Sequence, residues 1–172
     1  MKVMQLVVVA AATLAVACGS AQPGRPNAPQ SELDSLAAKL EANQIGRIEI
    51  FQISPRVLTP VRIAPQMLET QFEYKLTIAD IRGRPHQQQL VERLKSSIVT
   101  PCEDAADLRF GLVFYAPQRI VFEPQTPDMN ETRAAGLYFD ASGGRGAVNG
   151  TPVTFQGRLF SWLNATFSKS LQ

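Results

Sequence analysis

The chain has 172 residues and a mass of 18.8 kDa; 45% of its residues are hydrophobic and 19% charged, which excludes general disorder and provides for one domain with a real core. Seventeen Lys and Arg stand against fifteen Asp and Glu, a formal charge of +2, and this near balance excludes the concentrated basic stripe of a nucleic-acid binder. One His and two Cys argue against a multi-ligand zinc site, and no cofactor is expected.

The elements begin with a leader. Lys2 is the only charge before the run Val3–Cys18, which is apolar apart from Gln5 and Thr13. A positive start and an apolar stretch of about fifteen residues make a secretory signal over residues 1–17, too short to span a bilayer. The run ends Leu14-Ala15-Val16-Ala17-Cys18-Gly19, which resembles the lipobox of bacterial lipoproteins. The resemblance covers these six residues and departs from the usual pattern, with Ala15 where Leu is favoured and Leu14 one position early. It implies that Cys18 becomes the lipidated first residue, on the periplasmic face of a bacterial membrane. Two A-x-A-like sites, Ala15–Ala17 and Gly19–Ala21, leave open ordinary cleavage and a soluble periplasmic or secreted protein. A buried N-terminal helix is a third reading. With Cys18 lipidated or removed, Cys102 stands alone as a small buried apolar residue; a Cys18–Cys102 bridge requires cleavage before an unmodified Cys18.

Residues 18–30, rich in Pro and Gly, read as a flexible tether to a single domain over 31–172. Ser31 caps a helix with Leu33, Leu36, Ala37 and Leu40 on one face and Gly46 as its stop. A strand over 48–53 has its apolar set on both sides of Ile50–Phe51, so it is bulged or buried on two faces. Pro55, Pro60 and Pro65 punctuate an extended stretch, and Pro65 opens a turn or two of helix. Phe72, Tyr74, Leu76 and Ile78 alternate with polar residues, as in a strand with one wet face. Pro85 opens a second long helix with Leu90, Val91, Leu94 and Ile98 as its stripe, ended by Thr100–Pro101.

Leu108, Phe110, Leu112 and Phe114 form the core face of the next strand, with Arg109, Gly111, Val113 and Tyr115 facing away. A tight connection at 116–118 makes 108–123 a hairpin, followed by a loop over 124–133. Leu137 and Phe139 begin another strand; Ser142–Gly146 and Asn149-Gly150 are turns, Val153 and Phe155 close the sheet, and Leu159, Phe160, Leu163 and Phe167 mark a last helix. The fold expected is α+β: an antiparallel sheet of five or six strands with helices packed mainly on one face.

Several constellations imitate chemistry. His86, at a helix start, is the only imidazole for a Ser-His-Asp or Cys-His arrangement, and no G-x-S-x-G elbow is present. Gly143–Gly150 misses the dinucleotide fingerprint by one position and leads into a strand, so it reads as turns. Asp128, Asn130 and Thr132 start a calcium-loop spacing that fails at Arg133 and Phe139. Glu103, Asp104 and Asp107 form an acidic corner, and Asn130, Asn149 and Asn164 head glycosylation sequons. Arg56, Arg62, Arg82 and Arg84 lie in or beside loops where an anionic envelope component would fit.

No catalytic, cofactor or metal residues are assigned; the single site residue is Cys18, for lipid attachment. The expected role is an envelope protein-binding or accessory module, touching the membrane only through its anchor and an envelope or secreted protein through the 124–135 loop or the 54–66 segment. The alternatives are a periplasmic hydrolase using His86 or a carboxylate pair, and a small apolar-ligand carrier with a pocket lined by Phe110, Phe114 and Phe122.

Overall fold

A computed structural model describes residues 27–117 and 132–167. Cys18, the leader, Phe122, Asp128, Asn130 and the loop up to residue 131 lie outside the described residues. The elements are α1 (Ala28–Glu41), β1 (Arg47–Gln52), α2 (Pro65–Thr70), β2 (Tyr74–Ile78), α3 (Pro85–Lys95), β3 (Ile98–Pro101), β4 (Leu108–Tyr115), β5 (Arg133–Asp140), β6 (Arg145–Val148), β7 (Thr151–Gln156) and α4 (Leu159–Phe167). They form the expected α+β arrangement around one antiparallel sheet of seven strands, in the order β2-β1-β4-β5-β6-β7-β3.

The sheet has two more strands than the five anticipated within the described residues. One is β6, formed because the Gly-rich segment is two tight turns with a strand between them. Asp140 Oδ1 accepts from the Ser142 and Gly143 amides at the first turn, and Asn149 (φ 49°) and Gly150 (φ 87°) supply the left-handed pair of the second. The other is β3. Ile98 falls at helical spacing after Leu94, but α3 stops at Lys95, and Ile98–Pro101 pair with Gln156–Val153 of β7 instead.

The helix limits also move. Asn27, not Ser31, caps α1, accepting from Gln30 N at 3.5 Å, with Pro29 in the first turn. Asn43 (φ 56°), not Gly46, ends it: Asn43 N bonds to Leu40 O and Gln44 N to Lys39 O, a Schellman closure. Gly46 serves a close approach, since a Cβ there would stand 2.7 Å from the Pro117 Cα.

β4 does not open a 108–123 hairpin, because both its edges are taken, by β1 on one side and β5 on the other. A register shift between Leu108 and Phe110 also turns Leu108 away from its three supposed neighbours. Phe110, Leu112 and Phe114 join Leu33, Leu36 and Leu40 of α1, Leu90 and Leu94 of α3, and Leu159 and Leu163 of α4 in the main core. Leu108 joins a second core on the opposite face with Phe51, Ile53, Val113, Tyr138, and Leu68 of α2. β1 is regular and buried on both sides, which explains why its apolar residues fall on both faces at Ile50 and Phe51. Three helices thus cover one face and α2 with the preceding loop covers part of the other.

Gly146 lies where β5 and β6 come closest: a Cβ would overlap the Tyr138 carbonyl oxygen and stand 3.0 Å from the Phe155 ring. Gly146→Ala is expected to cost about 2–3 kcal/mol, because the obstacle is backbone that cannot step aside. A denaturant melt checks this, and an unchanged midpoint contradicts it.

Candidate functional site

Four of the five exposed large apolar side chains of the described residues, Leu58, Val61, Phe72 and Tyr74, sit beside the end of β1; the fifth, Ile98, is 58% exposed on β3 (Ile98–Pro101). Pro55 and Pro60 fix φ and lack an N–H, so the chain leaves the sheet there. The loop from 54 to 62 is nevertheless tied at its base. Ser54–Val57 is a turn closed by Val57 N to Ser54 O at 3.0 Å. Arg109 sets Nε and Nη2 on Asp107 at 3.0 and 2.6 Å, and Nη1 on the Val57 and Ser54 carbonyls at 2.9 and 3.4 Å. Asp107 in turn accepts from Ile63 N at 2.8 Å, and Leu108 N donates to Ile63 O at 3.1 Å. Val57 and Ile63 turn inward onto the second core.

Between these fastenings Leu58 is 94% exposed and Val61 56%. Burying a side chain of this size is worth about 1.5–3 kcal/mol, which the monomer forgoes here. Phe72, its ring tilted against Phe51 at 5.4 Å, and Tyr74 belong to the same end of the sheet, since the Glu73 carboxylate accepts from Ser54 N at 2.5 Å.

Two carboxylates are held on the same face. Glu49 alternates with Ile48 and Ile50 and so points to the second core. It pairs with Arg47, receives Lys75 Nζ at 2.7 Å, and accepts from the Tyr115 hydroxyl at 3.1 Å. Arg47 lies 4.0 Å over the Tyr115 ring and Lys75 5.3 Å over Phe51. Burial works against Glu49 ionising, but the Lys75 and Tyr115 hydrogen bonds and the Arg47 charge outweigh it and hold its pKa below the ordinary 4.5.

Glu69, from α2, takes Arg133 Nη1 on both oxygens at 3.1 and 3.2 Å. Tyr138 donates its hydroxyl to Glu69 and accepts from Arg133 Nη2. Burial, and then the Glu69 carboxylate, push this phenol's pKa well above the ordinary value, so it remains a donor at neutral pH. Gly111 makes room for the ring: a Cβ there would lie 3.0 Å from both Tyr138 Cδ1 and Leu68 Cδ2. The cluster fastens α2 to the sheet and borders a shallow cleft of about 290 Å³ that Asn149 also lines.

The residues singled out from sequence are not brought together. His86 is exposed on the first turn of α3, with its ring 6.2 Å from Phe167. Cys102 is half-buried rather than buried, its thiol 3.4 Å from the Asp104 carbonyl. Asp107 serves Arg109, and Asp104 lies 3.5 Å from Arg145. Among the described residues no three His, Cys, Asp or Glu are grouped to hold a metal, and no helix is long and apolar enough to cross a membrane. The Asn149 side chain is engaged by Gly136 N at 2.7 Å and Glu32 at 2.8 Å. Arg82 pairs with its neighbour Asp80, Arg84 borders α3, and Arg62 lies near Arg109 and Arg145. Phe110 and Phe114 fill the main core, with Phe110 against Phe139 and Phe160 at 6.5 and 5.9 Å. Glu49 and Glu69 were not singled out from sequence; a Glu between two Ile in an apolar strand is the signal that would have marked the first.

Glu49→Gln is expected to lower stability by about 1–3 kcal/mol at pH 7, leaving two cations without their carboxylate. Because the folded pKa is depressed, this contribution is complete above pH 4.5 and fades as pH falls through the lower folded value. Denaturant melts of both proteins between pH 7 and pH 2.5 check this; a constant difference across that range contradicts it. Comparison with family models, with curated proteins and with solved structures found no match to this chain.

Proposed function

We propose that the chain is a bacterial envelope lipoprotein, anchored through Cys18, that acts as a protein-binding or accessory module and docks its partner on the 54–62 loop. The observation that carries the docking surface is the pair Leu58 and Val61, held outward on a loop whose base is pinned by Arg109 and Asp107. A surface ordered before binding spends little conformational entropy on association, and an apolar anchor on a rigid base is where binding energy concentrates. The partner is a protein with an apolar recess. The anchor reading rests on Lys2, the apolar run and the small residues before Cys18. The Pro- and Gly-rich stretch up to Pro26 supplies the tether length.

The intact mass of the protein expressed with its own leader in a bacterial host tests the anchor. A chain starting at Cys18 with added diacylglycerol and acyl mass is expected; an unmodified chain starting near Gln22 overturns it. For the docking surface, a photo-crosslinking residue at Leu58 should give a discrete adduct in the native host, and Val61→Asp should cut its yield at least several-fold without moving the melting temperature. An adduct equally strong from an equivalent residue at Thr100, on the far edge of the sheet, overturns the assignment.

A further inference from the structure

The two edges of the sheet are finished differently. The hydrogen-bond alternation can be followed at both edges. Cys102 N donates to Pro152 O, so the even-numbered positions of β3 face β7 and Val99 and Pro101 face outward. Neither outward position offers a free N–H. Val99 N donates to the Gln30 side chain at 2.9 Å, Val99 O accepts from Asn27 Nδ2 at 2.7 Å, and Pro101 has no N–H to offer. At the other edge, Ile53 N donates to Arg109 O, so the odd positions of β1 face β4 while Ile48, Ile50 and Gln52 face β2. By the register, Ile78, Leu76 and Tyr74 of β2 answer them, and the amides and carbonyls of Lys75 and Thr77 point away from the sheet. Among the described residues no strand or side chain closes them.

The usual guard of such an edge is a charge or a proline. β2 has no proline, and its one charge is turned inward, since Lys75 reaches across Phe51 to Glu49. Tyr74, Leu76 and Ile78 share the other face of the strand, with Tyr74 47% exposed.

We infer that β2 pairs with β2 of a second copy of this chain, in antiparallel sense, to make one continuous sheet. The strand is self-complementary in the register that keeps every pair within Tyr74–Ile78. With the two-fold axis at Leu76, Lys75 lies opposite Thr77 of the other copy, and these are the outward-facing positions. Each such pair exchanges two backbone hydrogen bonds, four in all. Tyr74 then lies against Ile78 of the other copy, an aromatic on a β-branched neighbour, and Leu76 meets its own equivalent. No like charges are opposed, whereas the register centred on Lys75 would set two ammonium groups together. The closed isologous geometry ends assembly at two copies, because the β3 edge is blocked. The inference is independent of the docking loop and of the anchor.

In a non-hydrogen-bonded antiparallel pair the Cα atoms stand about 4.5 Å apart, within reach of a disulfide. Leu76→Cys in a Cys102→Ser chain, expressed with its leader and treated with a mild oxidant, should therefore give a reducible species of twice the monomer mass. Thr100→Cys on β3 sets the background. Adding Thr77→Pro, which removes an outward N–H only, should reduce the yield on the order of tenfold. Tyr74→Asp, on an exposed side chain, should do the same should Thr77→Pro fail to fold by circular dichroism. The inference is overturned if Leu76→Cys links no better than Thr100→Cys, or if linkage persists unchanged in whichever of the two variants is folded.

Discussion

β4 is hydrogen-bonded along both edges and buried on both faces, and the rest of the molecule is arranged around meeting those two demands. A strand in that position needs cover above and below as well as partners left and right. Above it the requirement is met by regular means: α1, α3 and α4 lay leucine stripes on Phe110, Leu112 and Phe114. Below it only the short α2 and the loop before it are available, and apolar contact alone does not hold so small a cover. The polar clusters supply what is missing. Glu69, Arg133 and Tyr138 tie α2 down, and Arg109 with Asp107 tie the loop.

Arg109 follows Val113 and Gly111 by regular alternation to the lower face, where its guanidinium reaches the loop carbonyls, and the shift beside it brings Leu108 to that face as well. The central strand therefore links the lower core to the presented surface. A loop fastened in this way can hold Leu58 and Val61 in water without collapsing onto the sheet. The edges follow a related logic. At β3 the α1 side chains Asn27 and Gln30 act as the missing neighbour strand, so the helix cap does two tasks at once, starting α1 and closing the sheet. Among the described residues β2 has no such neighbour, and this asymmetry gives the sheet a direction in which it can extend.

Much of the fold was legible in residue patterns. The leucine stripes of α1 and α3, the alternation of β2, the helix opened by Pro65 and the Asn149-Gly150 turn all stand where local spacing places them. The failures share a cause. Ile98 continues the α3 stripe in sequence, yet backbone pairing with β7 outweighs a fourth helical contact. Leu108 keeps period two with Phe110 on paper, but the register shift inverts it. Glu69 carries no signature of its own and Glu49 only its place between two Ile, because their environment is supplied by Lys75, Tyr115, Arg133 and Tyr138 from other strands.

By itself the sequence determined what depends on neighbours a few residues apart: composition, the turn residues, the amphipathic faces and the α+β class. Tertiary structure alone decided which edge the α1 side chains close, which apolar side chains face water, and which charges are paired. Those outcomes rest on contacts between residues far apart in the chain, such as Arg109 with Val57 or Asn27 with Val99, and local spacing carries no information about which distant partner a side chain will meet.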